Sequence, residues 1–189
     1  MRITGGRARG IPLQCPPGKH VRPAMDRTRE AVFSSLGESL PGKVFADLFA
    51  GTGAYGLEAL SRGARDGVWI EKDRRAIAAL RRNLAALARA MDGNHVPGRV
   101  IVGDALSWKP AEGETFGLIF ADPPFPLYPA ILPSLLRQLD QLLDPGDDGR
   151  IVLEGPGNLK IPEDQWRICR RWQKSAADPA VYLLARPER

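Results

Sequence analysis

The stretch that most narrows what this chain can fold into is "KVFADLFAGTGAYGLEALSRG", residues 43–63. An apolar run is closed by glycines and then followed by apolar residues at helical spacing, with Gly63 as a stop signal. That order predicts a buried strand, a tight loop and a helix. "GVWIE", "RVIVGDA", "FGLIFADPP" and "RIVLEG" predict four more strands downstream. Between the second and third strands, Ile77, Leu80, Leu84, Leu87 and Met91 share one helical face, while Arg74, Arg75, Arg81, Arg82 and Arg89 fall mostly elsewhere as a solvated face. Tyr128 to Leu143 reads as a Leu-rich helix. Alternation of this kind predicts an α/β fold, a mostly parallel sheet covered on both faces. "WRICRRWQK" and "AVYLLAR" leave no room for a helix between them, so they predict a C-terminal antiparallel hairpin at one edge.

The glycine loop "GTGAYG" has the form GxGxxG, and Glu71 lies 20 residues past Gly51, which is the spacing of a dinucleotide site. Asp47 points away from that reading. It ends the same strand four residues before Gly51, where a carboxylate suits an ammonium better than a pyrophosphate. S-adenosylmethionine (SAM) carries an ammonium, a ribose and no phosphate. Gly51 and Gly53 would let the backbone approach it, Glu71 would accept from both ribose hydroxyls, and Asp104 would meet the adenine amine. The plain alternatives are solvated strand-end carboxylates at Asp47 and Glu71 and a helix N-cap at Asp104. An NAD-linked oxidoreductase is the rival on the loop alone.

"IFADPPFPLY" runs an apolar strand into a carboxylate, two prolines and an aromatic ring. Adjacent prolines lack N–H donors and fix φ, so the stretch is a stiff corner at a strand end. The exocyclic amine of a nucleobase is a weak nucleophile, because its lone pair is delocalised into the ring. A carboxylate and a backbone carbonyl that accept its two N–H bonds would aim that lone pair and stabilise the charge developing on nitrogen. Asp122 and the Pro123 carbonyl meet that need, and Phe125 offers a ring on which an unpaired base can stack.

The charge is unevenly placed. Of a net +5, residues 1–29 hold seven basic groups against Asp26 alone, leaving 20 basic and 21 acidic residues for the remainder. A basic arm on a near-neutral body suits a polyanion partner. Arg2–Leu13 is either a small hairpin or a disordered tail. At 189 residues one domain is expected. No stretch is long and apolar enough for a membrane span or a secretory signal. Cys15 and Cys169 have neither CxxC nor metal spacing, and His20 and His95 are isolated, so free thiols in a reducing cytoplasm and no metal are expected.

"DLFAGTGAYGLEALSRGA" followed by "DPPF" resembles class I SAM-dependent methyltransferases acting on amino nitrogen. "RITGGRARGIPL" and "VRPAMDRTREAVFSSL" are similar to the opening segments of the RsmD family, which methylates N2 of a guanine in small-subunit (16S) ribosomal RNA. The resemblance spans residues 2–125 and implies a Rossmann-like fold. It implies a catalytic corner of Asp122, Pro123, Pro124 and Phe125. Cofactor contacts are implied for Asp47, Phe49, Gly51, Gly53, Glu71, Asp104 and Ala105, with Arg22 and Pro23 closing over the pocket. Ala24 stands where the family usually has threonine. Residues 1–30 are expected to be a basic extension and 31–189 the SAM-dependent methyltransferase domain. Arg7, Arg9, Lys19, Arg22 and Arg27 are the expected phosphate contacts, and ribosomal RNA or the small subunit is the expected partner of a monomeric, cytoplasmic enzyme. Another RNA, a DNA base, a protein glutamine, or an inactive ribosome-assembly role are the alternatives for the same corner.

Overall fold

The computed structural model describes residues 1–16, 23–91, 93, 96–146 and 148–188, with only the backbone described for 23–25. Helix α1 (Pro23–Leu36) precedes β1 (Val44–Leu48), α2 (Ala54–Ser61), β2 (Asp66–Glu71), α3 (Arg74–Ala90), β3 (Arg99–Val102), β4 (Leu118–Ala121), α4 (Tyr128–Leu142), β5 (Arg150–Gly155), β6 (Arg167–Gln173) and β7 (Ala180–Ala185). The strands form one seven-stranded sheet in the order β3-β2-β1-β4-β5-β7-β6. β1 to β5 run parallel, while β7 and β6 are antiparallel at one edge. The predicted strands and hairpin are therefore all present.

Strand alternation sorts the core into two layers. Phe45, Trp69, Phe120 and Val152 point to one face, where they pack with Phe33, Leu57, Leu60 and Leu80. Their neighbours Ala46, Leu48, Ile119, Ala121, Ile151 and Leu153 point to the other, against Ile131, Leu135 and Leu139 of α4. In α3 Ile77, Leu80 and Leu87 are buried, Leu84 and Met91 half-buried, and the five arginines exposed, as the periodicity predicts. Its start is fixed by Asp73, whose side chain accepts from the Arg75 N–H.

The basic leader is bound into this core. Residues 1–13 turn back on themselves, with Ile3 N donating to Ile11 O (2.9 Å) and Leu13 N to Met1 O (3.0 Å), the small hairpin alternative of the sequence. Ile3, Ala8 and Leu13 join the α1–α3 face of the core. Arg7 N donates to Ser61 O, and Ser61 Oγ accepts from Ala8 N while donating to Gly5 O. The approach is so close that a Cβ on Gly6, whose φ is +77°, would sit 1.9 Å from Ser61 O. Only glycine fits there. Glu58 of α2, fully buried, accepts from Thr4 N and Thr4 Oγ1 (both 2.8 Å), Arg62 Nε (2.7 Å) and Arg29 Nε (3.4 Å). Asp26 lies inside the first turn of α1 and pairs with Arg29 at 2.9 Å.

Candidate active site

In the order β3-β2-β1-β4-β5 the chain reverses direction of travel between β1 and β4. Open α/β sheets bind ligands at the carboxyl ends of the strands around such a point. Asp47 lies near the end of β1 and the glycine loop follows it, Glu71 ends β2, Asp104 follows β3, and Asp122 follows β4. The sequence-predicted acids thus share one edge.

Asp47 points to the α2 side of the sheet and is buried, with Oδ2 accepting from Gly56 N at 3.1 Å. Burial pushes its carboxyl well up from the ordinary range; the Gly56 N–H opposes this and the Glu71 charge adds to it. Among the described residues no Lys or Arg pairs with it. A buried carboxylate without a protein cation is able to take a cationic ligand. Because the folded chain holds this proton to higher pH than the unfolded chain, the stability Asp47 contributes falls as pH rises from the ordinary carboxylate range through its raised value. Asp47→Asn removes that decline and keeps an acceptor for Gly56. Its gain in Tm should therefore grow between pH 4 and pH 8, and a gain that stays flat across thermal melts would refute the assignment.

After β1 the backbone enters the left-handed region at Phe49 (φ 60°), Gly51 (φ 56°) and Gly53 (φ 81°). Phe49 is the only non-glycine with positive φ among the described residues. Such a bulky residue stores strain of about 1–3 kcal/mol. A Cβ on Gly53 would meet Leu80 Cδ1 at 2.2 Å, so that glycine lets α2 start against α3. Gly51 N donates to Glu71 Oε2 at 2.7 Å, and Glu71 Oε1 takes the N–H groups of Lys72 and Asp73 at 2.8 Å each. Two carboxylate oxygens offer about four acceptor sites, so room is left for one ribose hydroxyl without displacing a backbone N–H, fewer than the two the sequence reading assigns.

Asp104 caps a turn rather than a helix, the structural correction to its sequence alternative. Its Oδ1 accepts from Leu106 N at 3.0 Å and its carbonyl from Trp108 N at 3.0 Å. Lys72 Nζ bonds its Oδ2 at 2.8 Å, and this bond, with the Leu106 N–H, lowers the Asp104 carboxyl while raising Lys72. The pair is exposed, so a base amine can displace the lysine at small cost. The Ala105 side chain is buried and its carbonyl accepts from Gln138 of α4 at 2.7 Å, leaving a backbone N–H as its available contribution.

At the corner, Asp122 is half-buried, Pro123 buried, Pro124 exposed and Phe125 half-buried. A single 3-10 turn, Phe125–Leu127, leads into α4. The Pro124 carbonyl accepts from Leu127 N at 2.9 Å, whereas the Pro123 carbonyl takes no hydrogen bond among the described residues. Phe125 meets Tyr128 edge-on at 6.4 Å. Arg7, Arg9 and Arg27 are exposed, Arg7 donating to Met91 O at 3.1 Å. Lys19, Arg22, His20 and His95, and the side chains of Pro23 and Ala24, lie outside the described residues.

Two residues at the corner were missed from sequence. Tyr55 of α2 stacks on Phe120 (5.1 Å, 24°) and its hydroxyl donates to Glu154 Oε2 at 3.4 Å. Glu154 lies near the end of β5, and β4–β5 pairing through Ala121 and Leu153 brings it level with Asp122. Burial raises the Glu154 carboxyl, opposed by the Tyr55 bond, and burial also raises Tyr55, with the Glu154 and Asp122 charges adding. An acid ending the fifth strand, as acids end the others, was the signal available for Glu154.

A family model described as "Conserved hypothetical protein 95" matches residues 1–183. Ribosomal RNA small subunit methyltransferase D of Escherichia coli strain K12 is 41% identical over 192 residues, covering 98% of this chain and 90% of its own. The Bacillus subtilis protein YlbH is 33% identical over 166 residues, 86% of each. The solved structure of the Escherichia coli protein yhhF superposes with a TM-score of 0.80 at 34% identity, covering 100% of this chain and 99% of that one. With these similarities running through both the leader and the strand-end site, the chain belongs to the RsmD family of methyltransferases.

Proposed function

We propose that this chain transfers a methyl group from SAM to the exocyclic N2 amine of a guanine in small-subunit ribosomal RNA. The observation that carries this is the placement of two acceptor oxygens, Asp122 and the Pro123 carbonyl, the latter without a hydrogen bond among the described residues, across the β1/β4 reversal from the Asp47–Gly51–Glu71 cluster. Those residues fit SAM. Asp47 would hold the ammonium, Gly51 and Gly53 the close backbone approach, Glu71 the ribose, and Asp104 with Ala105 the adenine, while Phe49 shapes the loop and Arg22 and Pro23 cover it. When bound, SAM supplies a methyl group on a positively charged sulfur.

The chain's own part is to orient the amine. Asp122 and Pro123 O accept its two N–H bonds, which turns the nitrogen lone pair out of the base plane and offsets the positive charge that grows there. Proline φ restriction at 123 and 124 keeps the acceptors fixed, so no reorganisation is needed at the moment of transfer. Phe125 stacks on the base. Asp47→Asn should abolish SAM binding, measured by calorimetry, even as it raises Tm.

Residues 1–30 act as a docking extension, with Arg7, Arg9, Lys19, Arg22 and Arg27 at phosphates. Because residues 1–16 are part of the core, charge substitution tests this better than deletion. Arg9→Gln with Arg27→Gln should weaken RNA binding and lower the slope of log K against log salt by about 1–2; an unchanged slope would count against these contacts. No helix is long and apolar enough to cross a membrane among the described residues. The free thiols Cys15 and Cys169 suit a monomer working in a reducing cytoplasm. The deciding experiment supplies labelled SAM with small subunits lacking the modification and maps the label. Label on a guanine N2 supports the proposal, while label on another base, on protein or nowhere refutes it.

A further inference from the structure

We propose that the C-terminal β6–β7 hairpin is a second RNA-docking surface, holding the strand that flanks the target guanine; this rests on the RNA reading above. The hairpin's turn lies at the active edge of the sheet. β5 runs parallel with β1 and β4, and its last residue, Gly155, pairs with Ala180 at the start of β7, which in turn pairs with Gln173 at the end of β6. Residues 174–179 therefore stand beside the ends of the strands that carry Asp122 and Glu154. There, Ala176, Ala177 and Pro179 face Phe125 across a cavity of about 340 Å³, floored by Pro156, Gly157 and Asn158. A space of that size is ample for a nucleobase beside the ring.

The outer strand supplies the matching charge. β6 is the last strand of the sheet, and Arg167, Arg170, Arg171 and Lys174 are all exposed on or just past it. Arg167 pairs with Glu188 at 3.3 Å, but the other three form no ion pair among the described residues. The Arg170 guanidinium lies 5.9 Å from the Trp172 ring and that of Arg171 lies 5.5 Å from the Tyr182 ring. Arg171 also donates to Gly157 O, tying the charged edge to the cavity floor. Edge-strand charges commonly serve only to block pairing with another sheet. Here the register shift between Ile168 and Arg170 already disrupts the edge. The nearest turn carboxylate, Asp178, accepts from Ser175 Oγ at 2.7 Å. Arg170 also donates to Ser35 Oγ of α1 at 3.2 Å, so it lies on the α1 face of the hairpin and Arg171 on the cavity face; with Lys174 at the start of the turn, they match the phosphates and bases of a single-stranded loop passing over the hairpin.

The test is Arg170→Gln with Lys174→Gln in the full chain, with ribosomal RNA fragments as the probe. RNA affinity should fall about tenfold, and the salt slope should drop by about 1.4 for two single-strand phosphate contacts. kcat at saturating RNA and SAM affinity should not move. A control pair with the same charge change, Arg65→Gln with Arg137→Gln, removes exposed cations elsewhere, and should bind RNA as the parent does. Equal loss in the control, or an unchanged slope in the test pair, overturns the proposal. Thermal melts of both pairs exclude unfolding as the cause. RNA binding is read separately from transfer, so a parent enzyme that methylates nothing would sink the proposed reaction while the slope still decides the docking surface.

Discussion

Asp122→Ala should lower kcat by about 10²–10³-fold, the range seen when one preorganised polar group is removed from a developing charge. SAM affinity should stay within about twofold, because the carboxylate follows β4 while the proposed ammonium and ribose partners lie at the ends of β1 and β2. Activity should not vanish, since the Pro123 carbonyl is backbone and survives the substitution. Asp122→Asn keeps an oxygen acceptor without its charge and should fall between alanine and the parent. Single-turnover transfer with labelled cofactor measures the rate, and calorimetry measures binding. Parallel loss of both would show that Asp122 supports the cofactor instead of the amine.

Glu58→Ala should destabilise the protein by about 3–5 kcal/mol, the cost of removing one partner from a buried charge cluster. The carboxylate is fully buried and joins the leader through Thr4, α1 through Arg29, and the end of α2 through Arg62. Without it Arg29, itself 3% exposed, keeps Asp26 and the Arg2 carbonyl, and Arg62 keeps Thr4 Oγ1 at 3.2 Å, which limits the damage, but Thr4 N and Arg62 Nε lose their acceptor. Glu58→Gln retains the oxygen acceptor and should cost less. Urea unfolding gives the difference directly, and a loss below about 1 kcal/mol would mean that the cluster relaxes around the gap.

The sheet and its catalytic edge were readable because they depend on short-range signals. Apolar runs located the strands, with glycines closing β1 and the Asp-Pro-Pro corner closing β4, and an acid at or just past the end of each of β1 to β4 located the ligand edge. The DPPF corner announced itself through what proline forbids. Glu58 was not readable in the same way, since within "GLEALSRG" it looks like an ordinary acid on an exposed helix face. Its burial comes from residues more than fifty positions earlier in the chain. The same holds for the leader, whose composition describes an arm but whose Ile3, Ala8 and Leu13 complete the core. Tyr55 was hidden inside the glycine fingerprint, where its position reads as a variable x, and only packing against Phe120 brings it to the corner.

The anchoring of Thr4 and Ala8 on Glu58 and Ser61 also sets an order of assembly as the polypeptide leaves the ribosome. Thr4 and Ala8 gain these partners only after about fifty more residues have been synthesised, so this segment emerges early yet settles late. During that interval Ile3, Ala8 and Leu13 have no folded core to enter.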